Sequence, residues 1–412
     1  MREMKDSGVA WIGEIPEQWD ISTINSLYTL RNQKVSDRDY PPLSVTMKGI
    51  VPQLETAAKT DAHDDRKLVK KGDFAINSRS DRRGSCGISD YDGSVSLINT
   101  VLTPRGEMHP VYYNWLFHSS SFADEFYRWG HGIVDDLWTT RWQEMRNITI
   151  PVPEYAVQQK IAAHLDRKCA QIDALISNAQ QQIEKLKAYK QSVITETVTK
   201  GLDPDVKMKD SGVEWIGEIP EDWEVTKFGR ICKVKSNLVH PENYPDYIQI
   251  APDNIEKGSG KLLPCQTVKE SGVISDNHLF YKGQIIYSKI RPILNKVTIA
   301  PFDGLCSADM YPIETTQNYR YVLYYMLSNL FLIQVKMVTE NRVKMPKINQ
   351  EEISQIMTVF PSVEGQNEIV TFLDKKCTQI DSLIAIKQQK IEKLQKYKKS
   401  LIYEYVTGKK EV

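Results

Sequence analysis

The chain contains a near-verbatim internal repeat. Residues 4–19 read MKDSGVAWIGEIPEQW, and residues 208–223 read MKDSGVEWIGEIPEDW. A second matched pair of segments begins at Leu165 and at Leu373, at nearly the same displacement. A period of about half of the 412 residues is too long for a solenoid unit. The repeat therefore predicts two whole copies of one domain and a function that uses a pair.

The segments between the matched parts differ in sequence. Residues 26–150 and 230–358 occupy equivalent places in the two halves but share little identity. A constant frame with two different inserts suits two related but non-identical targets that are held at a fixed separation. This organisation favours recognition over catalysis.

Composition places the chain among ordinary globular proteins. Apolar residues make up 41% and charged residues 26%, which is enough to bury a core in each of two domains. No apolar run reaches the roughly 20 residues that a bilayer requires, and the N-terminus lacks the features of a secretion signal. We therefore expect a cytoplasmic protein without membrane contact.

Net charge constrains any binding to nucleic acid. The chain has 53 basic and 53 acidic residues, so bulk charge alone would not hold it on DNA. Any DNA binding must come from local basic patches. The six cysteines form no CxxC pair, and we expect reduced thiols. Cys169 and Cys377, at equivalent repeat positions, are predicted to be small core residues.

Each half ends in a long heptad pattern, which is typical of a helix that pairs with another helix. The first series is Leu165, Cys169, Ile172, Ile176, Ala179, Ile183, Leu186, Lys190, Val193 and Thr197. The second series is Leu373, Cys377, Ile380, Ile384, Lys387, Ile391, Leu394, Lys398, Leu401 and Tyr405. Gly201 and Gly408 stand where C-terminal caps are expected.

A helix of some 40 residues is about 60 Å long. We expect the two helices to form an antiparallel coiled coil with the inserts at opposite ends, related by a pseudo-twofold axis. An ordinary helical hairpin that serves only as core is the alternative. Lys190, Lys387 and Lys398 interrupt the apolar seam, and they would either fix the register or meet partner helices.

The inserts combine short β-rich stretches with turns and then an apolar helix. Strands are predicted at 73–77 and 94–98 in the first insert, and at 284–288 and 296–300 in the second. Single helices are predicted over 111–129 and 319–338. The fold class is therefore α+β, with two globular domains built on twisted sheets. The predicted boundaries are 1–150 and 204–358 for these domains, and 151–203 and 359–412 for the helical spacers.

A basic loop follows the same strand in both inserts. The first reads SRSDRRG from Ser78, and the second reads SKIRPILNK from Ser288. Arginine can donate two hydrogen bonds to guanine or grip a phosphate, and Ser and Asn can reach base edges or backbone oxygens. A solvated loop with incidental charge is the alternative for either one alone. The predicted DNA-binding residues are Lys48, Asn77, Ser78, Arg79, Ser80, Arg82, Arg83, Thr140, Arg141, Asn254, Ser288, Lys289, Arg291, Asn295, Lys296, Arg342 and Lys344.

Motifs for catalysis are missing. The sequence has no Asn- or Asp-Pro-Pro-aromatic motif for base methylation and no GxxxxGK[ST] phosphate loop. Pro252-Asp253 followed by Glu256-Lys257 has the wrong spacing for a nuclease carboxylate cluster. The seven histidines form no obvious acid-base or metal pair. We expect a chain that is not an enzyme and has no cofactor or metal of its own.

The sequence resembles the specificity subunit of Type I restriction-modification systems over essentially its full length. The resemblance is carried by the two openings, by Pro151-Val152-Pro153 with QQKI from Gln158, by Pro361 with QNEI from Gln366, and by the duplicated Leu-Asp-x-Lys-Cys-x-Gln-Ile-Asp helices. It implies two target-recognition domains that each read half of a split DNA sequence, separated by helices whose length sets the unread spacer.

The resemblance also implies partners. Two modification subunits would bring S-adenosylmethionine, and restriction subunits would bring ATP and magnesium. The regions 72–84 and 283–296 align with the loop that the family turns toward DNA. The second loop departs from the first, because it contains Pro292 and lacks an Arg-Arg pair. Side-chain roles therefore cannot be transferred between the halves.

Two other classes of function stay open from sequence. One is a structural coiled-coil adaptor that binds protein partners without reading DNA, and the other is a self-sufficient nuclease. Self-association of the isolated chain through its long helices is the alternative to pairing with partner subunits.

Overall fold

The computed structural model describes residues 2–53, 63–79, 82–132, 138–340, 342 and 346–412. Contacts divide the chain into two compact units. The first unit contains Met1–Ala179 and Gln389–Val412, and the second contains Gln180–Gln388. The division passes through both long helices. Each unit therefore combines a globular part, here called a head (residues 20–152 or 224–360), with one half of each helix.

The first unit contains short strands, small helices and the start of a long helix. Its strands are β1 (Met4–Asp6), β2 (Glu14–Pro16), β3 (Asp20–Thr23), β4 (Tyr28–Leu30), β5 (Lys34–Val35), β6 (Leu43–Thr46), β7 (Gly49–Pro52), β8 (Arg66–Val69), β9 (Phe74–Asn77), β10 (Cys86–Ile88), β11 (Gly93–Ser96), β12 (Asn99–Pro104) and β13 (Thr149–Val152). Its helices are α1 (Ile24–Leu27), α2 (Pro110–His118), α3 (Ser120–Arg128), α4 (Trp142–Met145) and the first part of α5 (Tyr155–Lys200).

The second unit follows a similar order of elements. Its strands are β14 (Met208–Asp210), β15 (Glu218–Pro220), β16 (Glu224–Lys227), β17 (Cys232–Val234), β18 (Leu238–Val239), β19 (Ile248–Ile250), β20 (Gln266–Thr267), β21 (Asn277–Phe280), β22 (Ile285–Ser288), β23 (Val297–Ile299), β24 (Gly304–Ser307), β25 (Met310–Thr315) and β26 (Met357–Phe360). Its helices are α6 (Phe228–Ile231), α7 (Val268–Ser271), α8 (Tyr319–Leu327), α9 (Asn329–Thr339), α10 (Gln350–Gln355) and the first part of α11 (Val363–Val406).

The two heads share a central sheet although their sequences differ. The order is β10-β9-β12-β4 in the first head and β23-β22-β25-β17 in the second, with antiparallel pairing throughout. A two-stranded pair closes each head, β3 with β13 and β16 with β26. The outer sheets differ: β11-β8-β5 and the β6–β7 hairpin in one head, β18-β21-β24-β19-β20 in the other. The α+β class is confirmed.

The helices of the heads are shorter than predicted. Each expected single helix is a pair, α2 with α3 and α8 with α9, and the second pair bends by 61°. A serine lies at each break. Ser119 Oγ accepts a hydrogen bond from the Phe122 N–H, and Ser328 Oγ accepts one from the Phe331 N–H. Serine is a preferred N-cap residue, so each one starts a new helix inside an apolar run.

The long helices end as the sequence predicts. α5 stops at Lys200 and α11 at Val406. The glycines that follow, Gly201 and Gly408, have φ values of 78° and 73°. Glycine has no Cβ, so it adopts this left-handed conformation readily and caps a helix C-terminus.

The helix halves run antiparallel inside each unit. In the first unit Ile161 and Leu165 share a core with Ile402 and Val406. In the second unit the core contains Val198 with Ile369 and Leu373. The predicted antiparallel pairing is therefore present within each unit. Both cores also contain the head helices, so the head and its helix halves are packed around the same buried residues.

The lysines on the seam are paired across the two helices. Lys190 Nζ lies 2.7 Å from Asp381, and Lys398 Nζ lies 2.7 Å from Asp173. These are the same interaction in the two copies, because Lys190 and Lys398, like Asp173 and Asp381, occupy equivalent repeat positions. Lys387 donates to Gln182 Oε1 at 2.6 Å. Partly exposed pairs stabilise weakly, roughly 0 to 1 kcal/mol, so their effect is mainly to fix the register.

A buried glutamine joins each helix start to its head. Gln158 Nε2 donates to the Pro153 carbonyl at 2.7 Å, and its Oε1 accepts from the His109 N–H at 2.9 Å. Gln366 makes the equivalent bonds to Pro361 and Asn318 at 3.0 and 2.9 Å. A buried amide is costly unless its donors and acceptors are satisfied. The repeated Gln after each proline therefore has a structural role.

An aspartate about three turns into each helix holds the equivalent head helix. Asp166 accepts from the Trp115 indole N–H at 2.7 Å, and Asp374 accepts from the Tyr324 hydroxyl at 2.5 Å. Two different aromatic donors thus serve the two copies of one acceptor. Together with the shared core, these bonds fasten each head to its helix halves.

The cysteines are free thiols, as expected, and most are buried. Burial raises the pKa of Cys86 and Cys232 to about 12 and that of Cys169 to about 11. Cys169 and Cys377 pack in the cores on the helix seam, which confirms the prediction for them. Among the described residues no single helix is long and apolar enough to cross a bilayer, although the bent α8–α9 pair passes that test by length and composition.

Two leucines of α11 provide a test of the paired helices. Leu373 is 0% exposed and Leu383 is 48% exposed. Leu373→Ala should lower the free energy of unfolding by about 2 to 5 kcal/mol, because it leaves a cavity in the core that joins head and helices. Leu383→Ala, the matched control, should change it by less than about 0.5 kcal/mol. Urea unfolding followed by circular dichroism measures both, and equal losses would contradict the packing described.

Candidate nucleic-acid interface

The basic loop of the first head follows β9 and is closed by its own backbone. The Asn77 N–H donates to the Ser85 carbonyl, and the Ser85 N–H donates to the Arg82 carbonyl, both at 2.9 Å. The Asn77 side chain accepts from the Arg79 N–H at 3.0 Å. Arg79, Arg82 and Arg83 are exposed on this loop. The strand therefore ends in a compact turn that presents three guanidinium groups.

Arg83 is held against the head helices. Its guanidinium forms an ion pair with Asp124 and lies 4.9 Å from the centre of the Tyr127 ring. Tyr127 in turn stacks on Trp138, with ring centres 5.7 Å apart. A cation over an aromatic ring is attracted by the negative face of the ring. The Arg83 side chain is therefore held in place on the loop, and Asp124 already compensates part of its charge.

The basic loop of the second head follows β22 and contains a short 3-10 turn, Pro292–Leu294. The Ser288 N–H donates to the Lys296 carbonyl at 2.9 Å and closes the loop. Arg291 is exposed and Lys289 is half-buried, with its ammonium 5.3 Å from the centre of the Tyr311 ring. Burial, and then the nearby charge of Lys289, lowers the pKa of His278.

The two loops are fastened to a second segment in the same way. The Thr140 N–H donates to the Ser78 carbonyl at 2.9 Å, and the Ile348 N–H donates to the Lys289 carbonyl at 3.0 Å. Bridges join Arg79 to Thr139 and Ile290 to Lys347. The fold thus brings together residues that the sequence presents as separate groups, namely the basic loops and the segments around 140 and 347.

Several predicted contact residues are buried and have partners inside the head. Thr140 Oγ1 donates to the Phe126 carbonyl at 2.8 Å, and Ser288 Oγ donates to the Ile290 carbonyl at 3.1 Å. Asn295 is 3% exposed, and its side-chain N–H donates to the Met326 carbonyl at 2.9 Å. Asn77 and the half-buried Ser78 likewise bond within the head. In this structure these side chains shape the loops, and DNA contact by them stays a prediction.

Other predicted residues carry charge that is already paired. Lys296 lies 3.1 Å from Asp253 and 2.8 Å from the Pro252 carbonyl. Arg342 forms an ion pair with Glu352, and this hydrogen bond raises the pKa of Arg342. Asn254 uses its side chain to close the turn 251–264 through Ala251 and Pro264. A DNA phosphate would have to compete with these partners.

The remaining predicted residues lie elsewhere or outside the described part. Lys48 is exposed at the tip of the β6–β7 hairpin, away from the β9–β10 loop in sequence. That hairpin packs on β10 so closely that a Cβ at Gly87 would lie 2.9 Å from Gly49 Cα. Arg141 is exposed, and its N–H donates to Glu144 at 2.9 Å at the start of α4. Ser80 and Lys344 fall outside the described residues.

The structure adds lysines that sequence reasoning missed. Lys347 forms a β-bridge with Ile290, and its Nζ lies 3.0 Å from Asp309 Oδ1. Lys257 belongs to a turn whose Gly258 N–H donates to the Asn295 carbonyl at 3.1 Å. Lys347 could have been found from its place in the sequence near the predicted residues Arg342 and Lys344. Nothing local in the sequence indicates that the turn at 257 reaches the loop.

Across the ranges that the structure describes, no group of three His, Cys, Asp or Glu side chains converges as a metal site.

Comparison with known proteins agrees with the resemblance found in the sequence. Residues 220–396 match the model of the Type I restriction modification DNA specificity domain. The EcoDI specificity subunit of Escherichia coli is 34% identical over 255 residues, which cover 58% of this chain and 57% of that protein. The MjaX protein of Methanocaldococcus jannaschii, a putative specificity subunit by its own name, is 24% identical over 97% of this chain and 95% of its length.

Solved structures show the same fold. A chain from a structure of complex assembly and conformational transition of the type I R-M system has a TM-score of 0.72, with 11% identity, and covers 95% of this chain and 98% of that one. The HsdS subunit from Thermoanaerobacter tengcongensis gives a TM-score of 0.50 with 13% identity, over 96% of this chain and 98% of that one. The predicted resemblance is confirmed: the chain is similar to type I specificity subunits, and residues 220–396 match the DNA specificity domain of that family.

Asn295 tests how the second loop is held. Its φ of 45° is left-handed, which costs a residue with a Cβ about 1 to 2 kcal/mol. Asn295→Gly should destabilise the second unit by about 1 to 3 kcal/mol, because the buried Met326 carbonyl loses its donor. Asn295→Ala should cost more than Asn295→Gly, because both variants lose the same hydrogen bond and only glycine relieves the left-handed backbone strain. Urea unfolding of the three proteins checks the order, and an Ala variant as stable as the Gly variant would contradict it.

Proposed function

We propose that the chain is the DNA-binding specificity subunit of a Type I restriction-modification complex. Each head reads one half of a bipartite DNA target, and the paired helices set the unread spacer. The observation that carries this proposal is the duplicated loop construction. Two heads of the same topology present basic loops fastened in the same manner, but the side chains on the two loops differ.

The shared backbone support and the differing loop side chains fit a protein that reads two unlike half-sites. Sequence is read by side chains that reach base edges, while contacts to phosphates only position a protein on the duplex. The shared backbone pairing gives both loops the same support. Arg79, Arg82 and Arg83 on one loop and Lys289, Arg291 and Lys347 on the other then supply different donors. Continuous helices of 46 and 44 residues are stiff enough to hold a fixed separation.

The partners proposed are two modification subunits and the restriction subunits. Support for two copies of one partner comes from exposed apolar side chains at equivalent positions on the long helices. Leu175 and Tyr397 lie in the first unit, and Leu383 and Tyr189 in the second, each 48 to 52% exposed. Large apolar side chains that are exposed to water at equivalent positions indicate a surface that binds a partner protein. Self-association of the isolated chain through these residues is the competing outcome.

The chemistry is assigned to the partners. In this proposal the chain itself catalyses nothing, S-adenosylmethionine belongs to the modification subunits, and ATP and magnesium belong to the restriction subunits. The complex would work in the cytoplasm, where it meets cellular DNA. Cleavage of DNA by the purified chain with a divalent cation would contradict this division.

A gel-shift series separates DNA reading from an adaptor role. The chain with its modification subunits should bind target duplex with an affinity that falls steeply as salt rises, because phosphate contacts release counterions. An adaptor would assemble with the partner proteins but show no preference for target over random duplex. No observation in the fold favours the adaptor.

Arg79 provides a matched test on the first head. Arg79→Ala should weaken binding of target duplex by about 1 to 3 kcal/mol, with relaxed specificity if the guanidinium contacts a base or a smaller salt slope if it contacts phosphate. Arg105→Ala is the control, since Arg105 is exposed after the opposite end of β12, roughly 20 Å along the strand from the basic loop. Fluorescence anisotropy at several salt concentrations measures both, and equal affinities for the two variants would remove Arg79 from the interface.

A further inference from the structure

The second loop presents one apolar side chain at its tip. In the 3-10 turn Pro292–Leu294, Pro292 is buried and Leu294 is half-buried, while Ile293 is 47% exposed. The cationic side chains of Lys289 and Arg291 precede it on the same loop. The corresponding loop of the first head, SRSDRRGS from Ser78, contains no apolar residue. The feature therefore distinguishes the two heads.

The backbone around Ile293 is held in an unusual conformation. Arg291 and Asn295, the residues on either side of the turn, have φ values of 44° and 45°, and both carry a Cβ that disfavours this region. Local bonds maintain it. The Arg291 N–H donates to the Pro346 carbonyl at 2.8 Å, and the buried Asn295 side chain donates to the Met326 carbonyl. Strain of this kind persists where the surroundings enforce it, and it gathers at functional sites.

Proline and a β-branched side chain make the tip stiff. Pro292 fixes its own φ, and isoleucine has few χ1 rotamers. The turn therefore holds Ile293 in few conformations, so that binding costs little conformational entropy. A stiff apolar side chain beside these two cations would need an apolar feature on the surface that the cations bind.

A DNA duplex offers two apolar features. The first is the thymine 5-methyl group, which lines the major groove and accepts apolar contacts. The second is the face of a stacked base, which a wedge reaches only after paying for unstacking of the step. Contact with a thymine methyl group requires no unstacking, so it is the less costly of the two for a side chain that is 47% exposed on a single short turn.

We propose that Ile293 contacts a thymine methyl group in the half-site read by the second head, and so contributes to its sequence specificity. This inference rests on the proposed function. It deepens that function by naming one base feature and the residue that recognises it. Arg291 and Lys289 would position the loop on the flanking phosphates or bases.

A uracil scan tests the inference. The chain is assembled with its modification subunits, and each thymine of the mapped half-site is replaced in turn by deoxyuridine, which removes only the methyl group. Wild-type complex should lose about fourfold in affinity at one position, as expected for about one methyl group returned to water. Ile293→Ala should bind the unmodified target about fourfold more weakly and be indifferent to uracil at that position.

Controls separate the contact from general effects. Ile274→Ala removes an equally apolar side chain that is 83% exposed and lies outside the loop, and it should keep wild-type affinity and wild-type sensitivity to uracil. Ile293→Val should retain most of both. The scan on the wild-type protein stays valid even if a variant folds poorly.

Three results would overturn the inference: no thymine in the half-site is sensitive to uracil, the sensitivity persists in Ile293→Ala, or Ile293→Ala binds as tightly as wild type. Weaker binding by Ile293→Ala without any uracil effect would indicate a wedge and also overturn it. Failure of the assembled wild-type complex to prefer its target over random duplex would instead defeat the proposed function itself.

Discussion

The packing of the two long helices against each other and against the heads is the constraint on which the rest of the structure depends. Within each unit one hydrophobic core contains residues of the sheet, of the head helices and of both long helices. A head that shares its core with the helices cannot rotate independently of them. The seam lysines, paired with Asp173 and Asp381, add little stability but oppose any shift in register.

The proposed function requires a neutral chain to bind DNA through local patches. The acidic and basic residues balance over the chain, so attraction to phosphate must be concentrated at particular places. The fold presents basic side chains on the loops after β9 and β22, and it fixes each loop by pairing with a segment that precedes α4 or α10. The same support carries guanidinium groups in one head and a lysine, an arginine and an isoleucine in the other. Specificity can then change without change to the frame.

Sequence alone predicts the parts of this structure that depend on periodicity and repetition. The helix limits, the glycine caps, the antiparallel pairing within each unit, the α+β class and the place of the basic loops follow from heptads, repeats and turn residues. The breaks at Ser119 and Ser328 were missed, because an apolar run conceals a single capping residue. The burial of Asn295 and Thr140 was missed as well, because a polar side chain that bonds a distant carbonyl looks the same in sequence as one that faces solvent.

Mapping of methylated sites tests the central claim most directly. Genomic DNA from cells that express the chain with its modification subunits would be sequenced with detection of methylated adenine. The account predicts one bipartite target, with two specified half-sites and a spacer of constant length and unspecified sequence. It further predicts that exchanging the second head changes one half-site and leaves the other and the spacer unchanged. A continuous target, a spacer of variable length, or a change in both half-sites would contradict it.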